Sequence, residues 1–132
     1  MSFTRSLRIL HLEDNPLIAF HIEQMIEDLG HIPAATFSSF AELEAAPELA
    51  VDCAFVDIDL SDGRTGPDAV RWLRERGVPS IFVTGQVEIA HANSELVVAF
   101  VAKPVSMNNL ASALEKIHGN PADTYKSENP LP

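Results

Sequence analysis

The sequence predicts an α/β domain built on a doubly wound, five-stranded parallel sheet of order 2-1-3-4-5, with helices on both faces. Three observations carry this expectation. Short apolar runs alternate with amphipathic stretches along most of the 132 residues, the pattern of successive βαβ units. Four of those runs end in functional groups: Glu13-Asp14 after Leu7-Arg-Ile-Leu-His-Leu12, Asp57 after Val51-Asp-Cys-Ala-Phe-Val56, Thr84-Gly85 after Ser80-Ile-Phe-Val83, and Lys103-Pro104 after Val97-Val-Ala-Phe-Val-Ala102. Pro33 interrupts the remaining run, and a proline cannot donate to an interior ladder, so the second strand belongs at a sheet edge. Right-handed crossovers then distribute the helices over both faces.

The elements follow in order. Asn15 caps the first helix, Pro16 suits its first position, Ile18, Ile22, Met25 and Leu29 recur on one side, and Gly30 ends it in a left-handed conformation. After the edge strand Ile32-Pro-Ala-Ala-Thr-Phe37, Ser39-Phe-Ala-Glu42 reads as a capping box that opens a short helix ending near Pro47. A third helix begins at Gly66-Pro67-Asp68, turns Val70 and Leu73 inward with Trp72 on its flank, and stops at Gly77. Residues 86–95 have little apolar periodicity, which predicts a short fourth helix. Ser106 caps the last helix, whose Leu110, Ala113, Leu114 and Ile117 form an inward stripe terminated by Gly119-Asn-Pro121. The expected organisation is an N-terminal extension over 1–5, one folded domain over 6–118 and a disordered tail over 119–132.

Nine basic against nineteen acidic side chains give a formal charge of −10, which repels a nucleic-acid backbone and favours a protein partner with a basic patch. Cys53, the single cysteine, lies inside an apolar strand, so a buried thiol and a reducing cytoplasm are expected. No stretch has the apolar length of a signal peptide core or of a membrane span, so neither secretion nor a membrane is expected. His11, His21, His31, His91 and His118 are scattered without a spacing that demands a metal.

In an open parallel sheet the carboxyl ends of the strands face one crevice, so groups distant in sequence converge there. A carboxylate at Asp57 beside Glu13 and Asp14 suffers like-charge repulsion unless a cation compensates. Mg²⁺ suits such a site because it takes oxygen ligands, usually only one or two of them carboxylates, and keeps waters for a phosphate group to replace. Asp57 would then be the nucleophile toward phosphorus, Asp14 a direct ligand, and Glu13 a helper through water. Thr84 stands where a hydroxyl can donate to a phosphoryl oxygen, Gly85 leaves room beside it, and Lys103 offers a compact ammonium.

These residues resemble the receiver domain of two-component response regulators, a flavodoxin-like fold, over about residues 6–118. The resemblance implies that Glu13-Asp14 is the acidic pair, Asp57 the phosphoacceptor, Thr84 the switch hydroxyl and Lys103 the lysine before a proline in a cis bond. It adds Asp59, through its backbone carbonyl, as a third protein ligand to Mg²⁺, Phe100 as the switch aromatic, and Asp59 and Gln86 as tuners of hydrolysis. It implies a histidine kinase or phosphotransfer protein as donor and an unidentified downstream protein as target, with no role as a metabolic enzyme. With no output domain expected after residue 118, action would be by protein contact or as a phosphate shuttle or sink.

Two departures stand out. The loop Ile58-Asp-Leu-Ser-Asp-Gly-Arg-Thr-Gly66 lacks the proline common four residues after the phosphoacceptor and is about one residue longer, and the stretch from Thr84 to Lys103 is short. Ile81-Phe-Val-Thr-Gly-Gln86 resembles the Phe-Ala-Thr-Gly strand of a single-domain receiver subgroup linked to alphaproteobacterial stress signalling. Two alternatives remain: Asp57-Ile-Asp-Leu-Ser61 also looks like the Asp-x-Asp motif of haloacid-dehalogenase-like phosphatases, with Asp59 as general acid and Glu13-Asp14 unexplained. A degenerate receiver that serves only as a binding scaffold would show neither Mg²⁺ binding nor labelling.

Overall fold

The structure is a computed structural model that describes residues 6–118, so the predicted extension over 1–5 and tail over 119–132 lie outside the described residues. Five strands, β1 (Arg8–Leu12), β2 (Ile32–Phe37), β3 (Cys53–Val56), β4 (Ser80–Thr84) and β5 (Ala99–Ala102), form one parallel sheet in the order β2-β1-β3-β4-β5. Between and after them lie α1 (Pro16–Asp28), α2 (Phe40–Ala45), α3 (Gly66–Glu75), α4 (Val87–Ala92) with a following 3₁₀ turn Ser94–Leu96, and α5 (Met107–His118).

β2 lies at the edge, as Pro33 requires. Its pairing with β1 slips there: Ile9 faces Pro33 but Leu10 faces Ala35, leaving Ala34 as the extra residue of a bulge. The inner strands β3 and β4 are buried along their whole length, which is why they read as continuous apolar runs rather than alternating ones. Two cores result. Leu7, Ile9, Ile22, Ile26, Phe55, Ile81 and Leu110 pack with α1 and α5 on one side, while Leu10, Leu12, Val56, Ile58, Val70, Leu73 and Phe82 pack with α2 and α3 on the other.

Local chemistry sets the helix ends. Asn15 Oδ1 accepts the main-chain N–H groups of Leu17 and Ile18 at 3.0 and 3.2 Å, and Gly30 closes α1 with φ +89°. The α2 cap differs in one detail from a capping box. Ser39 Oγ accepts the Glu42 N–H at 3.0 Å, but the Glu42 carboxylate turns to the main chain and hydroxyl of Ser38, at 2.7 and 3.1 Å, rather than to Ser39. Trp72 is half-buried on the flank of α3, where the Arg76 guanidinium lies 3.6 Å from its ring centroid. The 86–95 stretch forms a six-residue helix with Ala90 as its one buried residue. The 3₁₀ turn that follows delays β5 to Ala99, two residues later than the apolar run suggested.

Candidate functional site

Parallel strands end on one side of the sheet, and the acids sit immediately past two adjacent ends. Glu13 and Asp14 follow β1, and Asp57 follows β3, its N–H donating to the Leu12 carbonyl at 3.0 Å and so continuing the ladder by one residue. One carboxylate oxygen from each of Glu13, Asp14 and Asp57 lies within 4.8 Å of the others. Glu13 and Asp57 are buried, whereas Asp14 is exposed.

Lys103, just past β5, reaches across the crevice. Its Nζ donates to Glu13 Oε1 and to Asp57 Oδ2, each at 2.7 Å. The remaining oxygens of those acids are also engaged: Glu13 Oε2 accepts the Asn15 N–H at 3.1 Å, and Asp57 Oδ1 accepts the N–H of Ile58 at 2.7 Å. Burial pushes the Glu13 carboxyl above the usual range against the pull of Lys103. Burial works against the Lys103 ammonium, but the hydrogen bonds and charges of Asp57 and Glu13 outweigh it and hold its pKa above the ordinary value. The charge pattern is therefore acid-rich, with one ammonium shared between two of three carboxylates. The bond from Lys103 to Pro104 is cis.

Thr84, the last residue of β4, is fully buried. Its Oγ1 accepts the Gln86 N–H at 3.0 Å, which leaves the hydroxyl hydrogen to donate elsewhere. A Cβ at Gly85 would meet no atom within 4 Å. Phe100 is half-buried in β5 and meets the His91 ring of α4 edge-on, at 5.9 Å between centroids and 87° between planes. Asp59 has a side chain 43 % exposed, with Oδ1 on Arg64 Nε at 2.8 Å and Oδ2 on Gln86 Nε2 at 2.9 Å.

Two contributors were missed by sequence reasoning. Gly66 opens α3 against the back of Asp57: a Cβ there would sit 2.1 Å from the Asp57 carbonyl oxygen and 2.6 Å from Ile58 Cα, so only glycine permits this approach. Asp62 anchors the long β3–α3 loop by accepting from the N–H groups of Phe40 and Ala41 at 3.3 and 3.0 Å and from the Thr65 hydroxyl at 2.6 Å. The Gly66-Pro67 pair signalled a helix start, but that pattern does not name the partner across space, and Asp62 was read only as part of a loop one residue longer than usual.

Among the described residues no histidine joins the carboxylate cluster. His11 is buried in β1 against the Phe55 ring, 6.4 Å away and edge-on, with no hydrogen-bond partner for either ring nitrogen among the described residues. His21 is exposed, and His31 Nδ1 accepts the Leu7 N–H at 3.0 Å.

Comparison with known proteins agrees with this geometry. The sequence model of the response regulator receiver domain matches residues 9–115. The phyllosphere-induced regulator PhyR of Methylorubrum extorquens is 35 % identical over 112 residues, which are 82 % of this chain and 42 % of that protein. The chain thus spans less than half the length of the curated relatives it matches. The receiver domain of Erythrobacter litoralis PhyR superposes with a TM-score of 0.76 at 29 % identity, covering 85 % of this chain and 89 % of that one. The receiver domain of the Pseudomonas aeruginosa PAO1 sensor histidine kinase PA1611, solved with a magnesium ion coordinated in its active-site cleft, superposes with a TM-score of 0.72 at 25 % identity and coverages of 88 % and 100 %. The chain belongs to the response regulator receiver domain family, with a CheY-like, flavodoxin-type fold and an acidic pocket at the carboxyl ends of its strands.

Proposed function

We propose that this receiver takes a phosphoryl group onto Asp57 from a phosphohistidine on a histidine kinase or phosphotransfer protein, and signals by a change in protein binding. The observation that carries the reading is the Lys103 ammonium, 2.7 Å from both Glu13 and Asp57, inside a three-carboxylate cluster. A structural salt bridge needs no third acid, and a third acid without a second cation leaves the group under-neutralised.

The donor set fits Mg²⁺, being made of hard carboxylate oxygens, one of them on the solvent-exposed Asp14. Asp14, exposed, and Asp57 would be direct ligands. Glu13, bonded to Lys103 and to the Asn15 N–H, would act through water as the family resemblance implies, and the Asp59 carbonyl would complete the protein ligands. Bound Mg²⁺ would supply positive charge to the transferring phosphoryl oxygens. Asp57 Oδ attacks phosphorus as the P–N bond to the donor imidazole breaks, leaving an aspartyl phosphate and a free imidazole on the donor. Lys103 holds the carboxylate in place and stabilises the arriving charge, and the Thr84 hydroxyl donates to a phosphoryl oxygen. That donation draws Thr84 toward Asp57 and vacates space for Phe100, altering the surface of α4, β5 and α5. The resemblance of Ile81-Phe-Val-Thr-Gly-Gln86 and the likeness to a PhyR described as a stress response regulator, at 28 % identity and a TM-score of 0.73, favour a place in stress signalling.

The phosphatase alternative is disfavoured by Asp59. Arg64 Nε and Gln86 Nε2 occupy both of its carboxylate oxygens, at 2.8 and 2.9 Å, where a general acid would have to present a proton to a leaving group, and Glu13 and Asp14 would have no role in that chemistry. The test is labelling by a small phosphodonor with Mg²⁺, followed by mass spectrometry. Asp57→Ala is expected to abolish labelling, and Asp14→Asn to weaken Mg²⁺ binding by roughly tenfold or more while the domain stays folded. A phosphoryl group found on another residue would overturn the nucleophile assignment, and a parent protein with neither Mg²⁺ binding nor labelling would make the domain a scaffold.

A further inference from the structure

The long β3–α3 loop turns back on itself. Leu60 and Gly63 exchange both main-chain hydrogen bonds, at 2.8 and 3.0 Å, and Gly63 takes φ +105°, a left-handed conformation that favours glycine. Asp62, at the tip, is fastened to the first N–H groups of α2. The turn therefore returns the chain past its starting point, and Arg64 Nε meets Asp59 Oδ1 at 2.8 Å. From the other side Gln86 Nε2 meets Asp59 Oδ2 at 2.9 Å, and Gln86 is itself tied to Thr84 by its main-chain N–H. Both oxygens of Asp59 are thus occupied, by groups on two different loops.

Asp59 is two residues from Asp57, and through Gln86 its carboxylate is tied to Thr84 at the end of the neighbouring strand, on the rim of the centre. Released, its side chain would be a fourth acid beside Glu13, Asp14 and Asp57. The number of acids matters to a metal: Mg²⁺ is usually held by one or two carboxylates and retains waters, whereas Ca²⁺ takes six to eight oxygens in flexible geometry and gains from every added carboxylate. We propose that Arg64 and Gln86 are positioning residues that hold the Asp59 carboxylate outside the metal centre, limiting its affinity and keeping it selective for Mg²⁺ over Ca²⁺. The inference rests on the reading of the centre as a Mg²⁺ site.

Isothermal titration of Mg²⁺ and of Ca²⁺ into the parent, Arg64→Ala, Gln86→Ala, Asp59→Asn and Arg64→Ala/Asp59→Asn proteins tests it. Arg64 is 55 % exposed at its side chain, so its removal leaves the core untouched. Arg64→Ala is expected to bind Mg²⁺ about two- to tenfold more tightly, the scale of an exposed charge pair acting on a divalent ion, with a larger gain for Ca²⁺. Gln86→Ala should move both affinities the same way. In the Asp59→Asn background the Arg64 substitution should change neither. Equal tightening in that background would mean that Arg64 acts only by its charge through space, and unchanged affinities in Arg64→Ala would mean that it holds nothing back; either result overturns the proposal while leaving the Mg²⁺ site standing. A parent protein that binds no Mg²⁺ would overturn both.

Discussion

His11 should make the domain acid-labile in a way that one substitution removes. Burial, with Lys103 adding to it, pushes its imidazole down to about 3 from an ordinary 6.5. The folded protein therefore keeps His11 neutral where the unfolded chain protonates it. Since the folded pKa is the lower one, its contribution is complete above about pH 6.5, declines as pH falls toward about 3, and stays level below that. Each unit of that window is worth about 1.36 kcal/mol, so at pH 5 this one side chain costs about 2 kcal/mol relative to neutral pH. That is a sizeable share of the roughly 5–15 kcal/mol of a whole domain. Glu13 works in the opposite sense, because a raised carboxyl pKa gives stability that is lost as pH rises, so the parent's pH slope alone is a poor measure. The comparison must be with His11→Leu, which keeps an apolar side chain against Phe55 and has no proton to take up. Urea unfolding followed by circular dichroism at pH 7 and pH 5 should show the parent losing about 2 kcal/mol more than the variant. An equal loss in both, or an NMR titration placing the His11 ring near 6.5, would refute the reasoning.

Three further outcomes follow from the site. Gly66→Ala should destabilise the domain by about 1–3 kcal/mol and slow labelling of Asp57, because the added methyl must displace the Asp57 carbonyl; chemical denaturation and phosphodonor labelling would show both, and parent-like behaviour would contradict the close contact. Lys103→Met leaves two buried acids without their shared cation, so a loss of about 2–4 kcal/mol is expected without metal, and Mg²⁺ should restore more stability to this variant than to the parent in thermal unfolding. Beryllofluoride, a phosphoryl mimic, should shift the His91 ring resonances in the parent as Phe100 leaves its edge, but not in Thr84→Ala, and the two proteins responding alike would break the proposed coupling.

Most of the site was legible because its groups stand at strand ends, where a short apolar run stops and a polar residue begins. Topology alone then brings Glu13, Asp14, Asp57 and Lys103 together, and Pro33 marks the edge strand that fixes the order. The roles of Arg64 and Asp62 were not legible. They depend on the left-handed turn at Gly63 and on the free N–H groups of α2, which have no period and no fixed spacing from their partners. The need for glycine at position 66 was hidden for a related reason: Gly-Pro reads equally well as an ordinary helix start, and only the distance to the Asp57 carbonyl distinguishes the two. The shift of the Glu42 carboxylate to Ser38 is similar, since two adjacent serines offer the same chemistry.

The flush seating of Gly66 against Asp57 gives the crevice two unequal walls. On the α3 side the chain has no slack, because any approach of the helix collides with backbone and the loop above it is bolted to α2. On the opposite side stands a six-residue helix whose one buried residue is Ala90, followed by a 3₁₀ turn with none, so that wall is held mainly by partly buried side chains, Ile89 and Leu96 among them. Under the proposed phosphorylation, a load applied at Asp57 would pass to that more exposed wall, much as a vice with one fixed jaw transmits its travel to the other. The direction of the response would be set by what cannot move.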